Sequence, residues 1–446
     1  MPFIPNTDQE RIEMLERIGV KNFDELIAAI PEDIRLTKEL NLPEALSEYE
    51  VVRLLTKYAN ENVTTSSHLC FMGGGSYDHF IPAIVGAIIE RPEFKTAYTP
   101  YQAEVSQGTL QAMYEFQSMI CELTGMDVSN ASMYDGSTAL AEACLLAHSH
   151  NRRSEIIYAG TVNPNYRRVV DTITAGKNLQ FNEAKLEDGT CDIDMLRSLV
   201  SDKTAAVVVQ QPNAYGNLED VFEIEKIAHE KKALFIVVVN PISLGVLAVP
   251  GSYNADIVVG EGQPLGIPLS FGGPYLGIFA CKNEFVRKMP GRIAGITEDL
   301  EGKRGFVLTL QTREQQIKRE KATSNICSNQ GLFMLAATVY MAAMGKEGIK
   351  EVAMQSMQKA HYLASEITKI SGFRLLSDKP FFNEFLVIPL VAASEIIKEA
   401  EKVGIMPGID TSRFPQCAQG LLVAVTEKRS KEEMDRYVDF LKKFVK

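Results

Sequence analysis

LFIVVVNPISLGVLAVPGSYNADIVVGEGQP, residues 234–264, decides how the rest of the chain is read. Leu234 to Val239 is a run of strand-forming residues long enough for one buried strand, and Asp256 to Gly260 is a second. Asn240-Pro241 ends the first, because proline has no amide hydrogen to continue a ladder; Glu261-Gly262-Gln263-Pro264 ends the second. The stretch lies within residues 233–281, which contain no Lys, Arg or His. It therefore offers no amine for a Schiff base, and the polar groups at the ends of its strands are Asn240, Glu261 and Gln263. The segment reads as an enzyme fold with its chemistry removed.

Working outward, strand-like and helical stretches alternate. Glu155 to Tyr158, Leu179 to Phe181 and Ala205 to Val209 read as strands. Between them lie a helix after Gly136-Ser137-Thr138, one opened by Asn163-Pro164 and closed at Gly176, one near Met195 to Leu199, and one near Val221 to Lys231. Such alternation predicts an α/β fold, a mostly parallel sheet with helices on both faces. Upstream, Leu110, Met113, Phe116, Ile120 and Leu123 recur at helical spacing before Gly125 and predict a core-facing helix.

The two ends have a different texture. Thr7 with Glu10 and Ser47 with Glu50 have the capping-box spacing, and Gly19 and Pro31 are stops, so the first sixty residues predict short helices in an N-terminal arm. After about residue 328 come two long helical patterns, short strands at Phe385 to Leu390 and Leu421 to Val425, and a closing helix from Lys431 to Val445. The expected division is an arm over 1–65, a large α/β domain over 66–328, and a smaller C-terminal α+β domain over 329–446.

Composition narrows the class of function. The chain has 446 residues, 46% hydrophobic and 23% charged, with a net charge of −11. That is enough for a large core, and the acidic balance argues against nucleic-acid or anionic-membrane binding, which leans on clustered Lys and Arg. Seven scattered cysteines (70, 121, 144, 191, 281, 327, 417) predict reduced thiols in a cytosol-like compartment. No secretory pattern opens the chain and no apolar run approaches about 18 residues, so the expectation is a cytoplasmic protein with no membrane span.

Most local motifs carry less than they promise. Gly73-Gly74-Gly75-Ser76 has glycines suited to approach an anion but lacks the GK[ST] ending of a nucleotide loop, and reads as a tight turn near an interface or active site. His148 and His150, two apart on a helix, face different sides, and His68 with Cys70 supplies only two ligands, so no metal site is expected. Gly136-Ser137-Thr138 could receive a phosphate at a helix N-terminus, yet Asp135 precedes it, and a carboxylate beside a phosphate is repelled by roughly 4 kcal/mol at about 4 Å. The turn then reads as a helix cap.

Four long strings carry a resemblance: FMGGGSYDHFIP (Phe71 to Pro82), YTPYQAEVSQGTLQAMYEFQ (Tyr98 to Gln117), LSFGGPYLGIFA (Leu269 to Ala280) and LQTREQQIKREKATSNICSNQ (Leu310 to Gln330). In this order they resemble the glycine decarboxylase family, the pyridoxal-phosphate proteins of the glycine cleavage system, and specifically its N-terminal half or separate first subunit. The resemblance implies a pyridoxal-phosphate fold of type I, in which an Asp at the end of one strand holds the pyridine nitrogen and a Lys after the next binds the cofactor. Asn240, with Glu261 and Gln263, stands near those places here. The resemblance implies that this chain binds no cofactor and that pyridoxal phosphate is bound covalently by a second subunit, in a heterotetramer with two copies of each. Together they would decarboxylate glycine and pass the aminomethyl group to the lipoyl arm of the H-protein, while the isolated chain is inactive.

The residues expected to reach a shared interface site are Tyr98, Tyr101, Gln102 and Glu104, polar groups packed around Pro100 directly before a helix. A loop of that content is expensive to bury without a partner or ligand. Ser106 and Gln107, with Gly73, Gly74, Gly75 and Ser76, are the accompanying substrate or interface loops. Arg313, Arg319 and Lys321 could meet a carboxylate or phosphate, or form a solvated basic face. The alternative to a catalytic half is a scaffold or regulatory pseudoenzyme that stabilises its partner or docks the H-protein.

Overall fold

The structure, a computed structural model, describes residues 6–445 apart from 37, 39, 311–314, 323 and 415–417, with only the backbone of 315 and 316. Its contacts divide into two units, Met1–Val63 and Thr64–Lys446. In the first, α1 (Asp8–Ile18) and α2 (Glu48–Ala59) both begin with a complete capping box, Thr7 with Glu10 and Ser47 with Glu50. Gly19, at φ 89°, closes α1 in the left-handed conformation that glycine adopts without penalty. No residue of either helix is buried, and Ile12, Ile18, Leu55 and Tyr58 are all exposed.

The second unit is built on a seven-stranded sheet. After α3 (Gln107–Thr124), its strands in chain order are β1 (Val128–Ser129), β2 (Glu155–Ala159), β3 (Gln180–Ala184), β4 (Thr204–Gln211), β5 (Leu234–Val239), β6 (Ile257–Glu261) and β7 (Gly277–Cys281). Their spatial order is β1-β7-β6-β5-β4-β2-β3, parallel from β6 through β3 and antiparallel where β7 meets β6 and β1. The sheet is the mostly parallel one expected.

Alternation along the strands explains why the central runs are apolar throughout. Val207, Val209, Phe235 and Val237 face one core with α3, α6 (Val221–Glu230) and α7 (Gly331–Thr368). Val208, Ile236 and Val238 face the other with α4 (Gly136–Asn151) and α5 (Pro164–Thr174). Successive side chains of a strand point to opposite faces, so a sheet covered on both sides has no polar positions in its middle. Val239 pairs with Gly260, which brings the ends of β5 and β6 to the same side of the sheet. That carboxyl end is where open α/β sheets form their clefts.

Further elements include a hairpin, β8 (Ile293–Glu298) and β9 (Arg304–Thr309), and a four-stranded antiparallel sheet of β10 (Arg374–Leu375), β11 (Glu384–Ile388), β12 (Ile409–Asp410) and β13 (Leu421–Ala424). The two helical patterns expected after residue 328 are both present within α7, as two helices that meet at a kink at Gly345, whose φ of 57° and ψ of −174° are not helical. By length and composition α7 could cross a membrane, but Met334, Ala337 and Tyr340 are core residues and 44% of its most apolar window is buried inside the protein. The closing helix α8 (Lys431–Leu441) ends earlier than the sequence suggests, in a 3-10 turn at Lys442–Phe444. Cys70, Cys121, Cys144 and Cys191 are free thiols, and Cys327 is exposed; Cys417 lies outside the described residues.

Candidate functional site

At the carboxyl end of β5 and β6 the expected cleft is almost filled. Asn240 turns the chain locally, its Oδ1 accepting from the Ile242 amide at 3.1 Å. Glu261, the last residue of β6, points inward and is buried. Its Oε2 accepts from the Gly136 amide at 3.0 Å, and its Oε1 accepts from the amides of Gln263 at 3.0 Å and Leu276 at 3.1 Å. A carboxyl group thus occupies the N-terminus of α4, where a phosphate would otherwise find backbone donors. Asp135 caps the same helix, accepting from the Thr138 amide at 2.8 Å, so Gly136-Ser137-Thr138 is a capped turn. Gly136 cannot carry a side chain here, since a Cβ would fall 2.6 Å from the Tyr166 hydroxyl and 2.9 Å from the Glu261 nitrogen.

The glycine loop closes the same cavity. Gln263 binds Tyr77 on both sides of its amide, its Oε1 accepting from the Tyr77 nitrogen at 2.8 Å and its Nε2 donating to the Tyr77 carbonyl at 3.0 Å. Glu384, at the start of β11, accepts from the Gly74 amide at 2.6 Å and from the Tyr77 hydroxyl at 3.0 Å. Asn163 donates to the Gly74 carbonyl at 2.8 Å, and the Tyr275 hydroxyl reaches Ser76 at 3.3 Å. Between Gly75, Tyr166, Asn240, Glu261 and Glu384 remains a cavity of about 30 Å³, room for a single water. Burial pushes the Glu261 carboxyl up to about 8 against the pull of its three amides, and that of Glu384 up to about 7. Burial, then the nearby Glu261, also raises the Tyr166 phenol.

Pyridoxal phosphate does not fit this cavity. Cofactor pockets enclose about 300 Å³ or more, the lining includes no lysine, and two carboxyls stand where an anion would go. Among the described residues no cluster of three or more His, Cys, Asp or Glu could hold a metal.

The tyrosine loop lies elsewhere, beside the β8–β9 hairpin and the segment before α7. Tyr98 is 94% exposed. Tyr101 is half-buried; its hydroxyl donates to Asn329 Oδ1 at 2.9 Å and lies 3.2 Å from Ser328 Oγ, while the Arg292 guanidinium sits 4.0 Å from its ring centre. Asn329 in turn donates to the Ala131 carbonyl at 2.8 Å. Gln102 and Glu104 are exposed, and Ser106 precedes α3 without a side-chain cap. Gln107 clamps β9, donating to the Phe306 carbonyl at 2.9 Å and accepting from the Phe306 amide at 2.8 Å. A groove of about 380 Å³ runs between Tyr98, Tyr101, Thr109, Asn329 and Leu332.

The expected residues therefore fall into two groups. Gly73 to Ser76 join Glu261 and Gln263 around the filled cavity, and Tyr98 and Tyr101 join Asn329 at the open groove, which Gln102, Glu104, Ser106 and Gln107 do not line. Arg319 and Lys321 are exposed, and Arg313 lies outside the described residues. Sequence reasoning missed Glu384, Asn163, Tyr166, Arg292 and Asn329. Asn329 lies inside one of the four resembling strings; the others had no local signal.

The family of glycine cleavage system P-proteins matches residues 1–441. The chain belongs to this family. It is 58% identical over 443 residues to the probable glycine dehydrogenase (decarboxylating) subunit 1 of Chloroherpeton thalassium, covering 99% of each chain. Among solved structures it resembles an inhibitor-bound glycine decarboxylase (P-protein) of the glycine cleavage system, with 41% identity, a TM-score of 0.92 and full coverage of both chains. A Lactobacillus brevis glutamate decarboxylase, at 13% identity and a TM-score of 0.69 over 92% of this chain and 95% of that one, shares the fold alone. P-protein membership places the chain among pyridoxal-phosphate fold-type-I proteins, with a role in glycine cleavage.

Proposed function

We propose that this chain is the subunit of a two-subunit glycine decarboxylase that carries no cofactor, and that it lends residues to a site whose pyridoxal phosphate is bound by the lysine-bearing second subunit. The observation that carries this reading is the filled cavity, with Glu261 on the N-terminus of α4 and about 30 Å³ left. The relatives' designation as subunit 1, over 99% of this chain, supports a second subunit. On this reading the arm of residues 1–65 serves assembly, the body of 66–328 contains the filled site, and 329–446 contributes Glu384 to its closure. The complex is a cytoplasmic α2β2 heterotetramer that receives the lipoyl arm of the H-protein.

This chain's own contribution is positioning and exclusion of water. Tyr98, Gln102 and Glu104 are the exposed polar groups free to meet substrate or the lipoyl arm across the interface. Tyr101 and Gln107 hold the loop in place through Asn329 and Phe306. Burying the loop against a partner strengthens each hydrogen bond it makes there, because the local dielectric falls.

The test is reconstitution. The chain alone should show no glycine–bicarbonate exchange, and the mixture with the second subunit should show it. Borohydride reduction of the loaded complex should label a lysine of the partner; a stoichiometric label on a lysine of this chain would overturn the reading. The scaffold alternative draws on one observation, that the Tyr101 hydroxyl is already satisfied within the chain. Glu104→Gln and Tyr98→Phe decide it, because a scaffold keeps normal turnover per assembled complex.

A further inference from the structure

Arg292 stands just ahead of β8 and is half-buried, yet it lines neither the filled cavity nor the open groove. Its guanidinium lies 4.0 Å from the centre of the Tyr101 ring, and its Nη2 donates to the Cys327 carbonyl at 3.2 Å. These contacts reach the two segments that wall the groove, the tyrosine loop and the chain leading into α7. The same segments meet again beyond the ring, where the Tyr101 hydroxyl donates to Asn329 and lies beside Ser328. A planar cation on the ring face and a hydrogen bond at its far end together fix both the tilt and the depth of Tyr101, which neither contact fixes alone.

The group that does the holding is itself held. The Arg292 carbonyl accepts from the Ala131 amide at 2.7 Å. Two residues on, Gln117 of α3 grips Ala294, accepting from its amide at 2.8 Å and donating to its carbonyl at 3.0 Å. Just before Arg292, Asn130 donates to the Pro290 carbonyl at 3.0 Å, and a Cβ on Gly291 would fall 2.8 Å from the same Asn130 nitrogen. The backbone that carries Arg292 is therefore tied to the packed body, while the loop it reaches ends in the exposed Tyr98.

We propose that Arg292 is a positioning residue for the shared site: stacked on Tyr101 and bonded to Cys327, it sets where the tyrosine loop presents Tyr98, without touching substrate itself. The inference rests on the two-subunit reading above. An arginine that served only surface charge would keep its guanidinium in water, whereas this one is turned onto a ring and a backbone carbonyl. Lysine does not replace it, because a compact ammonium cannot lie flat on the ring and reach the carbonyl beside it.

The test uses Arg292→Lys and Arg292→Ala in the full chain, assembled with the second subunit. Turnover per cofactor-loaded complex should fall roughly tenfold or more in both, within what a misplacement of about 1 Å produces. Millimolar guanidinium chloride should restore part of the turnover of Arg292→Ala, and sodium chloride at the same ionic strength should not. Combined with Tyr101→Leu, Arg292→Ala should lose no more turnover than the worse single variant, since the arginine acts through the ring. In this chain alone, amide exchange at Ser106 and Cys327 should quicken together in both Arg292 variants. Turnover within about twofold of wild type in both variants, with Tyr98→Phe impaired, overturns the positioning role and leaves the shared site standing. Multiplied losses in the double variant overturn it as well, and so does a lowered melting temperature with normal turnover per assembled complex, which makes Arg292 structural. Absence of exchange activity in the wild-type mixture overturns the two-subunit reading instead, and the amide-exchange result, which needs no partner, keeps the two failures apart.

Discussion

Glu261→Gln asks whether the filled cavity holds a protonated acid or a permanent anion. Burial raises the Glu261 carboxyl from an ordinary 4.5 to about 8, against three backbone amides that favour the charged form. Below pH 4.5 the group is protonated folded or unfolded and contributes no pH dependence. Between 4.5 and about 8 the unfolded chain releases the proton while the folded chain keeps it, so the wild type loses stability as pH rises, at about 1.4 kcal/mol per pH unit. From pH 5 to pH 8 that amounts to roughly 4 kcal/mol, and glutamine, which does not titrate, is spared it. A chain of 446 residues has an unfolding entropy on the order of 0.9 kcal/mol per degree, so the variant should gain roughly 4 °C of melting temperature relative to wild type across that range. The assay is a melting series for both proteins from pH 5 to pH 9. Parallel profiles would refute the reasoning. A Glu261 held as a fixed anion by the helix N-terminus and the amides would give those parallel profiles above pH 5 and show its pH dependence only below 4.5, where the wild type would lose stability as pH falls.

Other perturbations separate the loop's roles and the fold's supports. Tyr98→Phe, at an exposed position, should leave the melting temperature unchanged but lower turnover per assembled complex about a hundredfold if its hydroxyl acts in the transition state. Tyr101→Phe should instead lose about 1–3 kcal/mol of stability, visible in thermal melts, because Asn329 loses its donor. Gln107→Leu removes the clamp on Phe306 and should speed amide exchange in β9 before it alters the global melt. His229→Gln should destabilise most near pH 6 and little near pH 9. Asp256, then Glu225, holds the His229 imidazole above 6.5, so its stabilisation is full below that value and is lost as pH rises through the folded one. Asp256 sets the acid side. Burial raises its carboxyl, but His229, Lys282 and the Phe235 amide bring it net below 3.8, and its contribution is lost as pH falls through that lowered value.

The sequence by itself determined the parallel strands β2 to β6, the helices that alternate with them, and the absence of a lysine at the end of β6. These are local or periodic properties: burial on both faces makes the runs Ala205–Val209 and Leu234–Val239 apolar throughout, capping boxes mark the starts of α1 and α2, and a 49-residue gap in basic side chains is visible without coordinates. The four strings gave the family before any fold was known. What composition could not supply was direction. Glu261 is one acidic residue among 57 until the register of β6 turns it inward onto α4.

Only the tertiary structure decided that the expected site residues form two groups rather than one. The glycine loop meets Glu384 across 310 positions of chain, and Tyr101 meets Asn329 across 228. Partnerships at such separations depend on how layers pack, which no local pattern encodes. Sequence fixes which conformations each residue prefers, and the packed fold selects which of them is imposed.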